Sequence, residues 1–218
     1  MNVFIIGITG GVGSLLAREL HVRGDSVRGL VRLHAQQTEL RQQGMDAQIA
    51  DLATMTPNEL ADAFSDADAI VYSAGSNGGS REITKAIDGD GVEKAICAAH
   101  IAGVRRFLLV SVLPESWRER ELGEEVEYYF ATKKGADVAV SQSELDWVIL
   151  RPSLLVDEPG TGTVFLGPAA FHDQIPRADV ASTLSQLLHE PRLSRQILEL
   201  NTGSMPIQEA VRVNVHAR

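Results

Sequence analysis

Val3-Phe4-Ile5-Ile6-Gly7-Ile8-Thr9-Gly10-Gly11-Val12-Gly13 is the stretch from which the rest of the chain is read. Its Val3 to Ile8 run is β-branched and aromatic and reads as a buried strand. Its second half is G-x-x-G-x-x-G, at positions 7, 10 and 13. Ser14 to Arg23 follows, with Leu15, Leu16, Ala17 and Leu20 on one helical face. Strand, glycine turn and helix together predict an anion cradle. The helix N-terminus carries unpaired N–H groups and partial positive charge, and side chains at the turn would keep a phosphate away. Gly7, Thr9, Gly10, Gly11, Val12 and Gly13 are the candidate diphosphate-binding residues. Gly13, one turn into the helix, also lets helix and strand approach closely.

Met1 to Ala17 carries no charged side chain. A secretory leader would open with Lys or Arg and run on as an unbroken apolar stretch. Here four glycines interrupt it, so we read it as folded. The missing charge suits the cradle. A carboxylate would repel phosphates, and a long cation would fill their space.

Outward from this unit, short apolar runs alternate with helical periods. Strands are expected at Val27 to Val31, Ala47 to Ala50, Ala69 to Tyr72, Arg106 to Val112 and Trp147 to Leu150. Helices are expected at Leu33 to Gln43, Asn58 to Phe64, Ile83 to Ala102 (broken or bent near Gly89 and Gly91) and Val126 to Ser143. This alternation predicts βαβ units and an α/β fold, a Rossmann-type doubly wound parallel sheet. Consecutive apolar positions such as Phe107-Leu108-Leu109-Val110 suit strands covered on both faces. After Pro152 the texture changes. Glu158 to Pro168 reads as a loop, Arg177 to His189 as a helix and Ile197 to Leu200 as a short strand. We expect one domain over 1–218, with 1–150 a nucleotide-binding core and 151–218 a small substrate lobe.

The 218 residues include 20 Lys and Arg against 29 Asp and Glu, a formal charge of −9. Such a chain repels phosphate backbones, so nucleic acid and anionic membranes are not expected partners. No apolar run reaches a membrane-spanning length. Cys97 is the single cysteine, so no intrachain disulfide forms, and the cytoplasm is the expected compartment.

The end of the second strand bears on which dinucleotide binds. An Asp or Glu about 20 residues past the glycines binds the ribose 2′-OH of NAD. Here the position nineteen past Gly13 is Arg32. A guanidinium there is suited to a 2′-phosphate, so NADPH is expected over NADH. Arg28 lies on the same strand with the same parity.

The chain resembles the atypical short-chain dehydrogenases/reductases, in their small NAD(P)-binding branch of NmrA-like regulators and flavin- or biliverdin-reductase-like enzymes. The resemblance runs through Gly7 to Gly13, Val31-Arg32, Asp51-Leu52, Ser73-Ala74-Gly75, Ala102 to Phe107, Val110-Ser111, Leu145 to Pro152 and Arg177 to Ala181. It implies that Asp51 and Leu52 flank the adenine. Ser73, Ala74 and Gly75 would pass the ribose and diphosphate, and Pro152 and Ser153 would line the nicotinamide pocket.

Tyr129 and Lys133 form Y-x-x-x-K, a spacing that puts both on one helical face. Ser111 ends the fifth strand, where a family-like triad has its serine. Carbonyl reduction by hydride develops negative charge on oxygen. Tyr129 is the candidate proton donor, and Lys133 is expected to lower the phenol pKa and bond the nicotinamide ribose. Ser111 would orient the substrate oxygen. Tyr128 has no lysine four residues on.

The six histidines, at 21, 34, 100, 172, 189 and 216, show no metal-ligand spacing. Glu115 to Glu127 reads as a solvated acidic face, and Cys97 as a buried small hydrophobe. Phe165, Phe171 and His172 are read either as a cover for the nicotinamide or as packing. The leading functional reading is an NADPH-dependent oxidoreductase acting on a small carbonyl, quinone or flavin-like acceptor. A non-catalytic NADP(H)-binding regulator of a protein partner is a second reading. A sugar-nucleotide epimerase or dehydratase is a third, though such enzymes usually carry a larger second lobe.

Overall fold

The structure is a computed structural model that describes residues 1–115 and 121–215. Its elements in chain order are β1 (Asn2–Ile6), α1 (Gly11–Arg23), β2 (Ser26–Val31), α2 (His34–Gln42), β3 (Asp46–Ile49), α3 (Pro57–Ala63) and β4 (Ala69–Tyr72). Then come α4 (Arg81–Thr84), a π-helical turn (Lys85–Gly89), α5 (Asp90–Ala102), β5 (Arg106–Val110), α6 (Glu124–Gln142) and β6 (Asp146–Pro152). The remainder holds β7 (Leu154–Val156), β8 (Thr163–Gly167), β9 (Gln174–Pro176), α7 (Arg177–Leu188), β10 (Gln196–Thr202), β11 (Met205–Pro206) and α8 (Ile207–Val213).

Nine strands form one sheet in the order β11-β8-β10-β6-β5-β4-β1-β2-β3. All neighbours from β10 to β3 are parallel. Only β8 and β11 enter antiparallel. The chain winds outward in both directions from β1, which pairs with β2 on one side and β4 on the other. That reversal opens a crevice at the carboxyl ends of β1 and β4, the position where sheets of this kind bind ligands.

The apolar pattern of the strands builds two cores, one on each face. Along β1, Val3 and Ile5 pack with Leu16 and Leu20 of α1 and Val180 and Leu184 of α7. Phe4 and Ile6 point the other way, toward Leu60 and Phe64 beside α3 and Val92 and Ala99 of α5. The ring of Phe4 meets that of Phe64 edge-on, with centroids 5.0 Å apart. Leu108 against Phe107, and Val148 against Trp147, repeat the alternation in β5 and β6.

Two differences from the sequence reading, and one expected interruption, have physical causes. β1 stops at Ile6 because Gly7 turns to φ +91°, a left-handed backbone that ends a strand. The interruption expected in the Ile83 to Ala102 helix is a π turn, which ends at Gly89. The glycine-rich stretch from Glu158 to Pro168 is only partly loop. Thr163–Gly167 is β8, whose neighbour β10 supplies its ladder bonds. After Leu150 the chain therefore extends the main sheet and adds a separate pair, β7 with β9. Among the described residues, no helix is long and apolar enough to cross a membrane.

Candidate functional site

A cleft of about 660 Å³ opens at the crevice. Gly7, Thr9, Gly10, Gly11 and Val12 line it, with Arg32, Asp51, Leu52, Ser73, Ala74 and Gly75. Ser111, Tyr129, Lys133, Pro152 and Ser153 line it too. Gly13 is the one candidate residue off its wall.

The glycines act first on the protein itself. A Cβ on Gly7 would come within 2.6 Å of the Ala74 nitrogen, and one on Gly13 within 2.1 Å of the Gly7 carbonyl oxygen. The turn after β1, the exit of β4 and the start of α1 are thus drawn together. The Gly10 N–H closes the turn on the Gly7 carbonyl at 2.9 Å. Gly10 caps α1 without a side-chain bond, and no acid stands in the first turn. The first N–H groups of α1 are left for a partner at the cleft. Ser73 Oγ is buried there with no hydrogen-bond partner among the described residues.

At one end of the cleft Arg32 is exposed. Its N–H and that of Leu33 both donate to Gln36 Oε1 at 3.1 Å, which fixes the start of α2. Its guanidinium has no hydrogen bond or ion pair among the described residues. Arg28 donates instead to the Ser65 carbonyl and lies off the cleft. Asp51 Oδ1 accepts from the Ala53 N–H at 3.0 Å, and Lys94 Nζ donates to the Leu52 carbonyl at 2.6 Å. Both contacts hold the loop after β3.

At the other end, Lys133 is buried. Its Nζ donates to the Val110 carbonyl at 3.0 Å and lies 3.5 Å from Asp88 Oδ1. Asp88 comes from the π turn, is fully buried, and accepts from the Ser76 N–H at 3.0 Å through Oδ2. Tyr129 lies one helical turn before Lys133, with its ring beside Phe130. Burial, and then the charge of Asp88, push its phenol well above the ordinary value. The sequence reading expected Lys133 to lower that pKa. It does not, because the half-buried phenol is partly desolvated and the Asp88 carboxylate acts on it as well.

Ser111 is buried, and its Oγ has no hydrogen-bond partner among the described residues. Asp137, a turn beyond Lys133, receives Arg151 Nε at 2.9 Å and Nη2 at 2.8 Å. Burial pushes the Asp137 carboxyl up against the pull of Arg151 and Lys133. The neighbouring residues are occupied elsewhere. Tyr128 lies under the Arg81 guanidinium at 5.2 Å, and Lys134 pairs with Glu115.

Three residues of the site escaped the sequence reading. Asp137 continues the i, i+4 row of Tyr129 and Lys133 and was visible as Y-x-x-x-K-x-x-x-D. Asp88 was not, because the π turn sets its direction. Arg177, at the start of α7, reaches the cleft from far along the chain. Cys97 is exposed rather than buried. His172 lines the cleft, whereas Phe171 stands 84% exposed and covers nothing. Of the acidic stretch, Glu124, Glu125 and Glu127 are exposed, while residues 116–120, like His216, lie outside the described residues.

Residues 7–191 match the family model described as NAD(P)H-binding. The chain belongs to the NAD(P)H-binding family. A Bacillus subtilis relative named as an uncharacterized sugar epimerase, YhfK, is 38% identical over 97% of this chain and 99% of its own. The oxidoreductase ylbE of Lactococcus lactis superposes with a TM-score of 0.85 at 26% identity, covering all of both chains. The anaerobilin reductase ChuY of Escherichia coli O157:H7 does so with 0.78 at 26% identity, over 94% of this chain and 98% of its own. This NAD(P)H-binding protein thus has relatives and structural neighbours named as an epimerase, an oxidoreductase and a reductase. Its cleft suits the nucleotide. The helix start is uncapped and free of acids, Ser73 Oγ awaits a partner, and Arg32 has an open guanidinium.

Proposed function

We propose that this protein is an NADPH-dependent oxidoreductase of the cytoplasm that reduces a small carbonyl, quinone or flavin-like acceptor. The observation that carries this reading is that Tyr129, Ser111 and Lys133 line the same cleft as the glycine turn after β1. A phenol is protonated at neutral pH, so it can give up a proton but does not start as a base, and its raised pKa makes it a weaker acid than a free tyrosine.

Arg32 would fork onto the 2′-phosphate, and the first turn of α1 would receive the diphosphate. Asp51 and Leu52 would flank the adenine. Ser73, Ala74 and Gly75 would line the path of the ribose and diphosphate, and Pro152 and Ser153 the nicotinamide pocket. When bound, the reduced nicotinamide supplies the hydride. Ser111 Oγ would hold the acceptor oxygen. As hydride reaches the carbonyl carbon, the C=O π pair moves onto oxygen and Tyr129 gives that oxygen its proton. The phenolate then recovers a proton from solvent. Lys133, held by Val110 and Asp88, would bond the nicotinamide ribose. Residues 151–218 would supply the acceptor side through Ser153, Leu154, Leu155 and His172, all on the cleft wall.

A second reading, sugar epimerisation, draws support from the name of the Bacillus subtilis relative. It requires Tyr129 to begin as a base, which the burial of its phenol opposes. A screen of NADPH oxidation against aldehydes, quinones and flavins tests the proposal. Turnover with one class supports it. Tight nucleotide binding with no oxidation by any acceptor overturns it.

A further inference from the structure

The spacing at 7, 10 and 13 leaves Gly11 unexplained, and the structure supplies its reason. A Cβ on Gly11 would sit 2.8 Å from Cδ and 2.9 Å from Nε of Arg177. The Arg177 side chain therefore lies across the first residue of α1, on the wall of the nucleotide cleft. It is held there from below. α7 packs along α1, and Ser182 Oγ donates to Glu19 Oε2 at 2.7 Å. Arg177 opens α7 directly after β9, so its backbone has little freedom to withdraw.

Two sources of positive potential thus meet at one point, the uncapped start of α1 and a guanidinium. Their counter-charge is Asp157, which receives Arg177 Nη1 at 2.7 Å. The Asp157 side chain is 89% exposed and that of Arg177 only 27% exposed. An ion pair with one partner in solvent contributes little stability and is readily exchanged. A phosphate is the better ligand. It offers the guanidinium a bidentate partner and meets the α1 N–H groups at the same time.

We propose that Arg177 binds the dinucleotide's diphosphate and that Asp157 is its resting counter-ion, so that carboxylate and diphosphate compete for one guanidinium. This rests on the nucleotide reading of the cleft. Arg177 differs from Arg32 in what it senses. The diphosphate is common to NADPH and NADH, so Arg177 sets affinity for both and Arg32 alone sets the choice between them.

Titrating the full chain with NADPH and with NADH, in the wild type, Arg177→Ala, Asp157→Asn and Arg32→Ala, tests this. Arg177→Ala is expected to raise both Kd values about tenfold or more, the size of a lost charge-assisted contact, and to leave their ratio unchanged. Asp157→Asn is expected to lower both Kd values, and more at low salt than at high. Opposite signs from the two halves of one ion pair distinguish competition from a structural role. If both variants weaken binding, if Asp157→Asn changes nothing, or if Arg177→Ala leaves both Kd values in place, the proposal is overturned. A wild type that binds neither dinucleotide would instead overturn the nucleotide reading beneath it. Unchanged thermal unfolding of Asp157→Asn, an exposed position, shows that its effect is not one of folding.

Discussion

Lys133 Nζ and Asp88 Oδ1 lie 3.5 Å apart with both side chains buried, so the lysine of the Y-x-x-x-K pair carries its own counter-charge. The same carboxylate adds to the larger effect of burial in raising the phenol pKa of Tyr129.

Asp88→Asn removes that charge. The same variant leaves a buried ammonium without its partner and should cost roughly 3–5 kcal/mol of stability, read from denaturant unfolding.

Tyr129→Phe is expected to lower kcat with a carbonyl acceptor by about 10²–10⁴, the usual contribution of a positioned acid. NADPH affinity should change little, because Tyr129 is assigned to the acceptor. Single-turnover kinetics beside equilibrium titration separate the two.

Arg32→Ala is expected to weaken NADPH by at least about tenfold and NADH hardly at all, since only NADPH offers the 2′-phosphate. Paired titrations give the ratio directly.

Asp25 links the chain start to α7. It accepts from the Met1 ammonium at 2.8 Å and meets His189 Nε2 at 3.1 Å. Burial alone pushes its carboxyl up, yet the hydrogen bonds from the ammonium and His189 bring it below the ordinary value. A carboxylate depressed in the fold contributes stability that is complete above its unfolded pKa and is lost as pH falls through the folded one. Asp25→Asn should lower Tm at neutral pH. It should also flatten the decline of Tm below about pH 4, near the unfolded carboxylate value. Thermal unfolding from pH 2 to 7 measures both.

The fold was legible because its signals are local. The β1 run, the Gly7 to Gly13 turn and the i, i+4 faces of α1 and α6 each rest on neighbours in the chain. The cleft residues followed, since they sit at strand ends that topology brings together. What escaped depends on non-local contacts. β8 is Thr163–Gly167, too glycine-flanked to read as a strand until β10 pairs with it. Asp88 points inward only because a π turn shifts its register. Arg177 meets Gly11 across most of the chain length. The acidity of Tyr129 was misjudged because a sequence shows the nearby lysine but not the burial or the opposing carboxylate.

Net nucleotide consumption tests the central claim most directly. With a carbonyl acceptor and stoichiometric NADPH, followed by nucleotide absorbance and product analysis, one NADPH should be oxidised for each acceptor reduced. Tyr129→Phe should slow both together. Interconversion of a sugar nucleotide with no net change in the nucleotide cofactor would contradict it.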